Sequence, residues 1–434
     1  MTASDSARPG TRGEAEEAIS QLTEQLEGLL QTLGPNDPET LAARSAIACR
    51  FGEIGQLDEA ISQLSQLVDD CTEALGPDHP DTLTARNNLI AQLANSGRTS
   101  GAIIQLQELL DDALQALGTD HHLTLTMRKG LAFLLGNVGR VDEAADQYHV
   151  LAHGYLRALG PDHPETLNSR NAYAFFLGET GQHAAAIEEF TLLLNDSLRI
   201  FGPSHPHALT TRNNLAYQLT KAGQTDEAIE QYRQSLDDHR QILGPDHPDT
   251  LQAQGELAYW LSETGKSEEG LAQHRQLLDD HLRIFGSDHT RTLTTQNNFA
   301  TRLGKAGHIT EAISHFKAVI ACQTRIFGYD HPSTLITRGN LAGLYGVSGA
   351  HDDAVIEFRQ LLDDDVRVLG PDHPDTFSTR QTLAYALNES GNSQEAIEIL
   401  EKLLADQVRV FGPDHFETEE TREILARLAS EDRA

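Results

Sequence analysis

"LGPDHPDTL", residues 75–83, packs two prolines, a glycine, two aspartates and a histidine into nine positions. That vocabulary serves turns as well as metal or acid/base sites. Recurrence separates the two readings. The glycine returns at Gly34, Gly76, Gly118, Gly160, Gly202, Gly244, Gly286, Gly328, Gly370 and Gly412, at an unbroken interval of 42 residues. Such a motif is a joint in a repetitive architecture. Each repeat of a stack packs only on its neighbours, and an inserted residue would turn a helix face out of register.

One period reads as two helices. Helix A starts at Pro80, whose missing N–H is unneeded in a first turn, and Leu83, Leu89, Ile90 and Leu93 give it an apolar face. Gly97 breaks the chain. Helix B carries Ala102, Ile103, Leu106, Leu109, Leu110 and Leu117 and ends at Gly118, where glycine is expected to take the left-handed cap conformation. Small residues recur at Ala132, Ala174, Ala216, Ala258, Ala300, Ala342 and Ala384 on helix A, and at Ala60, Ala102, Ala144, Ala186, Ala228, Ala312, Ala354 and Ala396 on helix B, letting the helices approach closely. The pattern begins with a lone helix B, "EAEEAISQLTEQLEGLLQTLG", and ends with a lone helix A, "ETEETREILARLASEDRA". The expected architecture is all-α: twenty helices stacked as about nine repeats with half-repeat caps, in one solenoid over residues 13–434 behind a disordered tail at 1–12.

Composition narrows the function classes. A net charge of −32 repels nucleic acid and anionic membranes at long range, so a neutral or basic partner is expected. Three scattered cysteines make no disulfide framework or zinc pair. With no signal-peptide pattern and no apolar run of spanning length, the expected location is the cytoplasm.

The pattern N-L-A-x-x-L-x-x-x-G-x-x-x-E-A-I, seen from Asn214 to Ile229, resembles the tetratricopeptide repeat, and the period with its G-P-D-H-P linker is similar to the kinesin light chain variety found in bacteria. The resemblance covers roughly residues 13–430 and implies a right-handed superhelical α-solenoid that binds proteins. It implies no cofactor. Arg44, Arg86, Arg128, Arg170, Arg212, Arg338, Arg380 and Arg422 stand where that family usually has a large apolar residue, and they are expected to pair with helix B acids such as Asp70, Asp112, Asp238 and Asp364.

The linker histidines, from His79 to His415, look like a metal ladder, but packed helices lie about 8–10 Å apart, too far for neighbouring repeats to share an ion whose bonds to nitrogen are about 2 Å. His149 and His153 have chelating i, i+4 spacing without a third ligand. Phosphate-loop, dinucleotide, HExxH and GxSxG motifs are lacking. No metal site and no catalytic residue is assigned.

By the resemblance, helix A builds the inner wall of a groove, so residues that break pattern there mark a ligand site. Phe133, Phe175, Tyr217 and Tyr259 form an aromatic row that returns at Tyr385. Asn171 and Asn213 precede it by one turn, with Asn297 further along, and an amide can hold a peptide backbone by donor and acceptor together. Glu179, Lys221, Glu263 and Lys305 alternate in sign. Gly339, Gly343 and Gly346 line one stripe, as close approach of a ligand backbone or a second copy of the chain would require. The expectation is a non-enzymatic scaffold binding a protein segment in that groove. An alternative is an enzyme or small-molecule receptor with a pocket among repeats five to seven, where Gly255, Tyr259, Trp260, Gly270 and His274 all depart from pattern. Another is a sensor arm serving a separate signalling ATPase.

Overall fold

The computed structural model describes residues 9–431, with side chains from 17 to 428. Residues 1–8 of the expected N-terminal tail lie outside the described residues. The chain divides into two compact units, residues 1–231 and 232–434. The first holds α1 (Pro9–Thr32), α2 (Pro38–Glu53), α3 (Leu57–Leu75), α4 (Pro80–Asn95), α5 (Thr99–Leu117), α6 (His122–Asn137), α7 (Val141–Leu159), α8 (Pro164–Glu179), α9 (His183–Phe201), α10 (Pro206–Lys221) and the start of α11 (Thr225–Leu243). The second holds the rest of α11, then α12 (Pro248–Glu263), α13 (Ser267–Phe285), α14 (Thr290–Lys305), α15 (Ile309–Phe327), α16 (Pro332–Val347), α17 (His351–Val368), α18 (Pro374–Glu389), α19 (Ser393–Val410) and α20 (Phe416–Glu431). Every regular element among the described residues is a helix, even-numbered ones being A helices and odd-numbered ones B helices, so the fold is an all-α helical repeat.

The linker accounts for the regularity. His79 is extended, at φ −68° and ψ 140°, and its Nδ1 accepts the Asp81 N–H at 3.2 Å, satisfying a backbone donor that the start of a helix leaves open. The same bond, at 3.1–3.3 Å, starts α6, α8, α10, α12, α14, α16 and α18 from His121, His163, His205, His247, His289, His331 and His373. In the first linker Asp37 replaces histidine, and its carboxylate accepts from Glu39 N–H at 3.0 Å. The histidines from His79 to His373 are therefore caps, whereas His415, before α20, leaves its Nδ1 without a hydrogen-bond partner among the described residues. Three residues after His79, the buried Thr82 hydroxyl donates to the Gly76 carbonyl at 2.8 Å, and Thr166, Thr250, Thr334 and Thr376 repeat the bond at 2.8–3.0 Å.

One expectation needs correction. Gly118 has φ 86° but ψ 173°, a region open essentially only to glycine, rather than the left-handed helical conformation. The chain must leave helix B extended to reach the next cap. The closed left-handed type of ending lies instead at the A-to-B turn. There Gly97, at φ 86°, donates to the Ala94 carbonyl at 3.0 Å, and Arg98 N–H reaches the Leu93 carbonyl at 3.1 Å.

Within each unit the alanine columns are almost fully buried, from Ala60 and Ala132 in the first to Ala258 and Ala396 in the second. Successive A helices pack directly on one another, α2 on α4, α4 on α6 and α8 on α10 in the first unit, and α14 on α16 and α16 on α18 in the second. Arg44–Asp70, Arg86–Asp112, Arg338–Asp364 and Arg380–Asp406 form ion pairs at 2.6–2.8 Å, as the column implied. Arg128 departs from it. Its helix B partner position is Gly154, and it bonds Gln147 at 2.7 Å instead.

The capping account makes a graded prediction. His163→Ala should lower stability by about 1 kcal/mol and speed exchange of the first-turn amides of α8, while His163→Asp should match wild type. Hydrogen exchange checks it; an aspartate variant no better than alanine would refute the capping role.

Candidate functional site

In the first unit the A helices present the aromatic row unevenly. Phe133 is 58% exposed and Phe175 37%, whereas Tyr217 is half-buried with Lys221 Nζ 5.4 Å from its ring centre. Beside Phe175 lies a hollow of about 640 Å³ between α8 and α10, lined among others by Asn168, Asn171, Phe176, His207 and Asn214. Asn171 is tied at both ends: its Nδ2 donates to Thr211 Oγ1 at 3.1 Å and its Oδ1 accepts from Asn214 Nδ2 at 2.9 Å. Asn213 is half-buried. The amide column thus links consecutive A helices, with one N–H and one lone pair of Asn171 left over by inventory. Lys129 is held by Glu165 at 2.7 Å. The His149 ring lies tilted against Tyr173, centroids 4.9 Å apart, and His153 Nδ1 meets the His149 carbonyl at 2.9 Å, so the i, i+4 pair is engaged locally.

In the second unit Asn297 repeats the link, accepting from Asn340 at 3.3 Å. Two repeats there have glycine in this amide column, Gly255 and Gly339, and each lies over a hollow. The one at Gly339 is small, about 150 Å³. A Cβ added at Gly343 would meet nothing within 4 Å and one at Gly346 only Ala354 at 4.0 Å, whereas one at Gly339 would meet Leu361 at 3.4 Å, an ordinary contact. Tyr385 is partly exposed, its hydroxyl 3.4 Å from Arg427.

The hollow at Gly255 holds about 750 Å³ between α12 and α14. Leu277, His274 and His281, all buried, come from α13 beneath it. Gly255, Tyr259 and Trp260 line it from α12, and Thr295, Asn298 and Arg302 from α14. Four of the five pattern-breaking residues therefore meet in one cavity. The fifth, Gly270, explains the placement of the floor: a Cβ there would lie 2.8 Å from Ser262 N and 3.0 Å from the Ala258 carbonyl, so only glycine lets α13 come this close to α12. His274 follows one turn later.

Arg302 bridges the two A helices. It pairs with Glu263, which it holds below the usual carboxylate range, and its guanidinium lies 4.6 Å from the Tyr259 ring centre, within cation–π reach. Lys305 adds a second contact to Glu263 at 3.6 Å. Trp260 stacks nearly parallel to Tyr232, centroids 6.1 Å apart, and meets Tyr259 edge to face at 5.0 Å. His281 Nδ1 bonds Thr295 Oγ1 at 2.7 Å. His274 is 6% exposed, and its Nε2 has no hydrogen-bond partner. Burial first, then the nearby Arg302 charge, pushes its pKa down to about 4. It is a neutral imidazole at neutral pH.

Sequence reasoning missed Arg302, Arg291, His281, Thr295 and Asn298. A signal for Arg302 existed: it stands one period after Trp260, in the column of Leu134, Phe176 and Leu344. The others sit in variable columns and become neighbours only through packing.

Models of the tetratricopeptide repeat match residues 169–237, 207–279, 256–325 and 348–407 in one case and 40–81 and 124–165 in another, the first alone accounting for half of the chain. Similar solved structures include a kinesin light chain-type protein with nearly identical tetratricopeptide-like repeats from Podosopora anserina (24% identity, 47% of this chain and 96% of that one, TM-score 0.44). BtubC from P. vanneervenii is similar at 17% identity over 53% of this chain and 92% of its own, TM-score 0.44. A tetratricopeptide repeat protein from Parabacteroides merdae is similar at 14% identity over 70% and 98%, TM-score 0.45. No curated protein matches the chain.

The depressed pKa of His274 has a definite sign in stability. Below its ordinary value of 6.5 the unfolded chain takes up a proton that the folded site refuses until about 4, so this contribution is complete above pH 6.5 and is lost as pH falls towards 4. His274→Phe, which restores the ring found in the same column at Phe190 and Phe316, should lose less urea resistance than wild type across that window. Equal losses would show that His274 is not the buried neutral group described.

Proposed function

This chain belongs to the tetratricopeptide repeat family, and on that footing we propose that it is a non-enzymatic adaptor that holds a protein or peptide segment along its A helices, in the cytoplasm. Tetratricopeptide repeats are in general protein–protein interaction scaffolds. The observation that carries the reading is the exposure of Phe133 and Phe175 on A helices whose other large apolar residues are mostly buried. Rigid rings at low entropic cost are what an interface uses as anchors. Tyr217, with Lys221 beside it, continues the row in the first unit, and Tyr259 and Tyr385 offer the same type of contact in the second.

Asn171, Asn213 and Asn297 are assigned the supporting role, lending whatever hydrogen-bonding capacity their links leave over to the backbone of the segment. The stripe of Gly339, Gly343 and Gly346 is assigned to its close approach, or to that of a second copy of the chain. A net charge of −32 favours a neutral or basic segment over nucleic acid. No described helix is long and apolar enough to cross a membrane. The non-enzymatic reading is supported by the linker histidines, whose Nδ1 atoms cap helices. A second reading, a small-molecule receptor, is favoured by the meeting of Gly255, Tyr259, Trp260 and His274 in one cavity.

Phe133→Ala with Phe175→Ala should weaken a partner captured from the source organism by at least about tenfold, since anchor residues carry roughly 2 kcal/mol or more each. The check is titration calorimetry with the identified partner. Unchanged affinity in a folded double variant would remove the row from the interface.

A further inference from the structure

The floor of the cavity over Gly255 contains one polar atom without a partner among the described residues. Buried polar atoms almost always have a hydrogen-bond partner, and an exception calls for an explanation. His274 Nε2 is such an exception, on a side chain 94% removed from solvent that lines the cavity. Around it the surfaces are flat and apolar: the Tyr259 and Trp260 rings held edge to face, and Leu277. The volume, about 750 Å³, lies in the range of small-molecule sites.

The charges decide what fits. Asp249 and Glu256 line the cavity against Arg291 and Arg302, and Arg302 is already paired with Glu263. Asp249 and Arg291 are exposed, where solvent screens them, and Glu256 already accepts from Gln252 at 3.1 Å, so an ion entering beside His274 would lose hydration without gaining a buried counter-ion there. A purely apolar ring would leave the imidazole nitrogen unpaired. An amide on a short stem would not use the aromatic walls.

We infer that this cavity binds a neutral aromatic ring bearing one hydrogen-bonding group, such as a phenol, with the ring against Tyr259 and Trp260 and its polar group on His274 Nε2, which a turn of the imidazole brings to the cavity surface. The inference rests on the receptor reading of the site. The ring can belong to a free small molecule or to a side chain of a docked segment, and both present the same chemistry. Gly255 makes the room, because the asparagine found at Asn213 and Asn297 in this column would occupy it. Gly270 positions the floor.

Trp260 is the sole tryptophan of the chain and stands in the cavity wall, so its fluorescence reports occupancy directly. The experiment titrates the full chain with p-cresol, toluene, benzoate and benzylammonium, which share a ring and differ in one group. Saturable binding of p-cresol is expected, roughly tenfold tighter than toluene and tighter than either ion. His274→Phe should reduce p-cresol to the level of toluene. Gly255→Asn should abolish binding of all four, and both variants carry residues that their columns already accept in other repeats. N-acetyltyrosine amide separates the sources: tighter binding than p-cresol points to a docked side chain, and exclusion of the amide with p-cresol retained points to a free molecule, either result supporting the assigned chemistry. No saturable binding to wild type, a preference for either ion, or a p-cresol preference that survives His274→Phe would overturn it. The partner affinity that depends on Phe133 and Phe175 is measured separately, in the other unit, so failure here leaves the scaffold reading intact.

Discussion

The structure depends on a side-chain hydrogen bond at the start of the A helices from α2 to α18. A side-chain acceptor, His79 Nδ1 or its equivalent, takes the N–H two residues on, while the buried threonine next along ties the helix back to the preceding glycine carbonyl. Each cap contributes about 1 kcal/mol. Their larger effect is on register. Helix A begins at the same residue of every period, so within each unit the alanine columns meet at the helix contacts. Asp37 shows what is required: an acceptor at that place, of either chemistry.

Charge follows the same geometry. Despite a net charge of −32, many acids have a fixed cationic neighbour. Arg157–Asp120 and Arg199–Asp162 in the first unit, and Arg283–Asp246, Arg367–Asp330 and Arg409–Asp372 in the second, join a helix B to the linker that precedes its own repeat's helix A, at 2.5–2.9 Å. Exposed pairs of this kind add little stability one by one.

Much of this was legible in the residues. Pro80 and Gly97 marked real helix boundaries, and Arg44, Arg86 and Arg338 found the acids their spacing implied. Three things were not legible, each because it depends on distances between helices. Gly118 was read by its residue type, but the path to the next cap sets its ψ. Asn171 has the composition of a peptide clamp, yet Asn214 and Thr211 lie close enough to engage it. The oddities at Gly255, Trp260, Gly270 and His274 were visible one at a time, while the cavity they form needed α13 to be drawn onto α12, and Arg302 to close one side.

The central claim is that recognition takes place on the A-helix face. Site-specific photo-crosslinking tests it most directly. A benzophenone side chain is placed at Phe175, on the A helix α8, or at Leu192, exposed on the B helix α9 of the same repeat, and the chain is irradiated in lysate of its source organism. The account predicts a discrete adduct of defined mass from position 175 and none of matching yield from position 192. Adducts from 192 with none from 175 would contradict it.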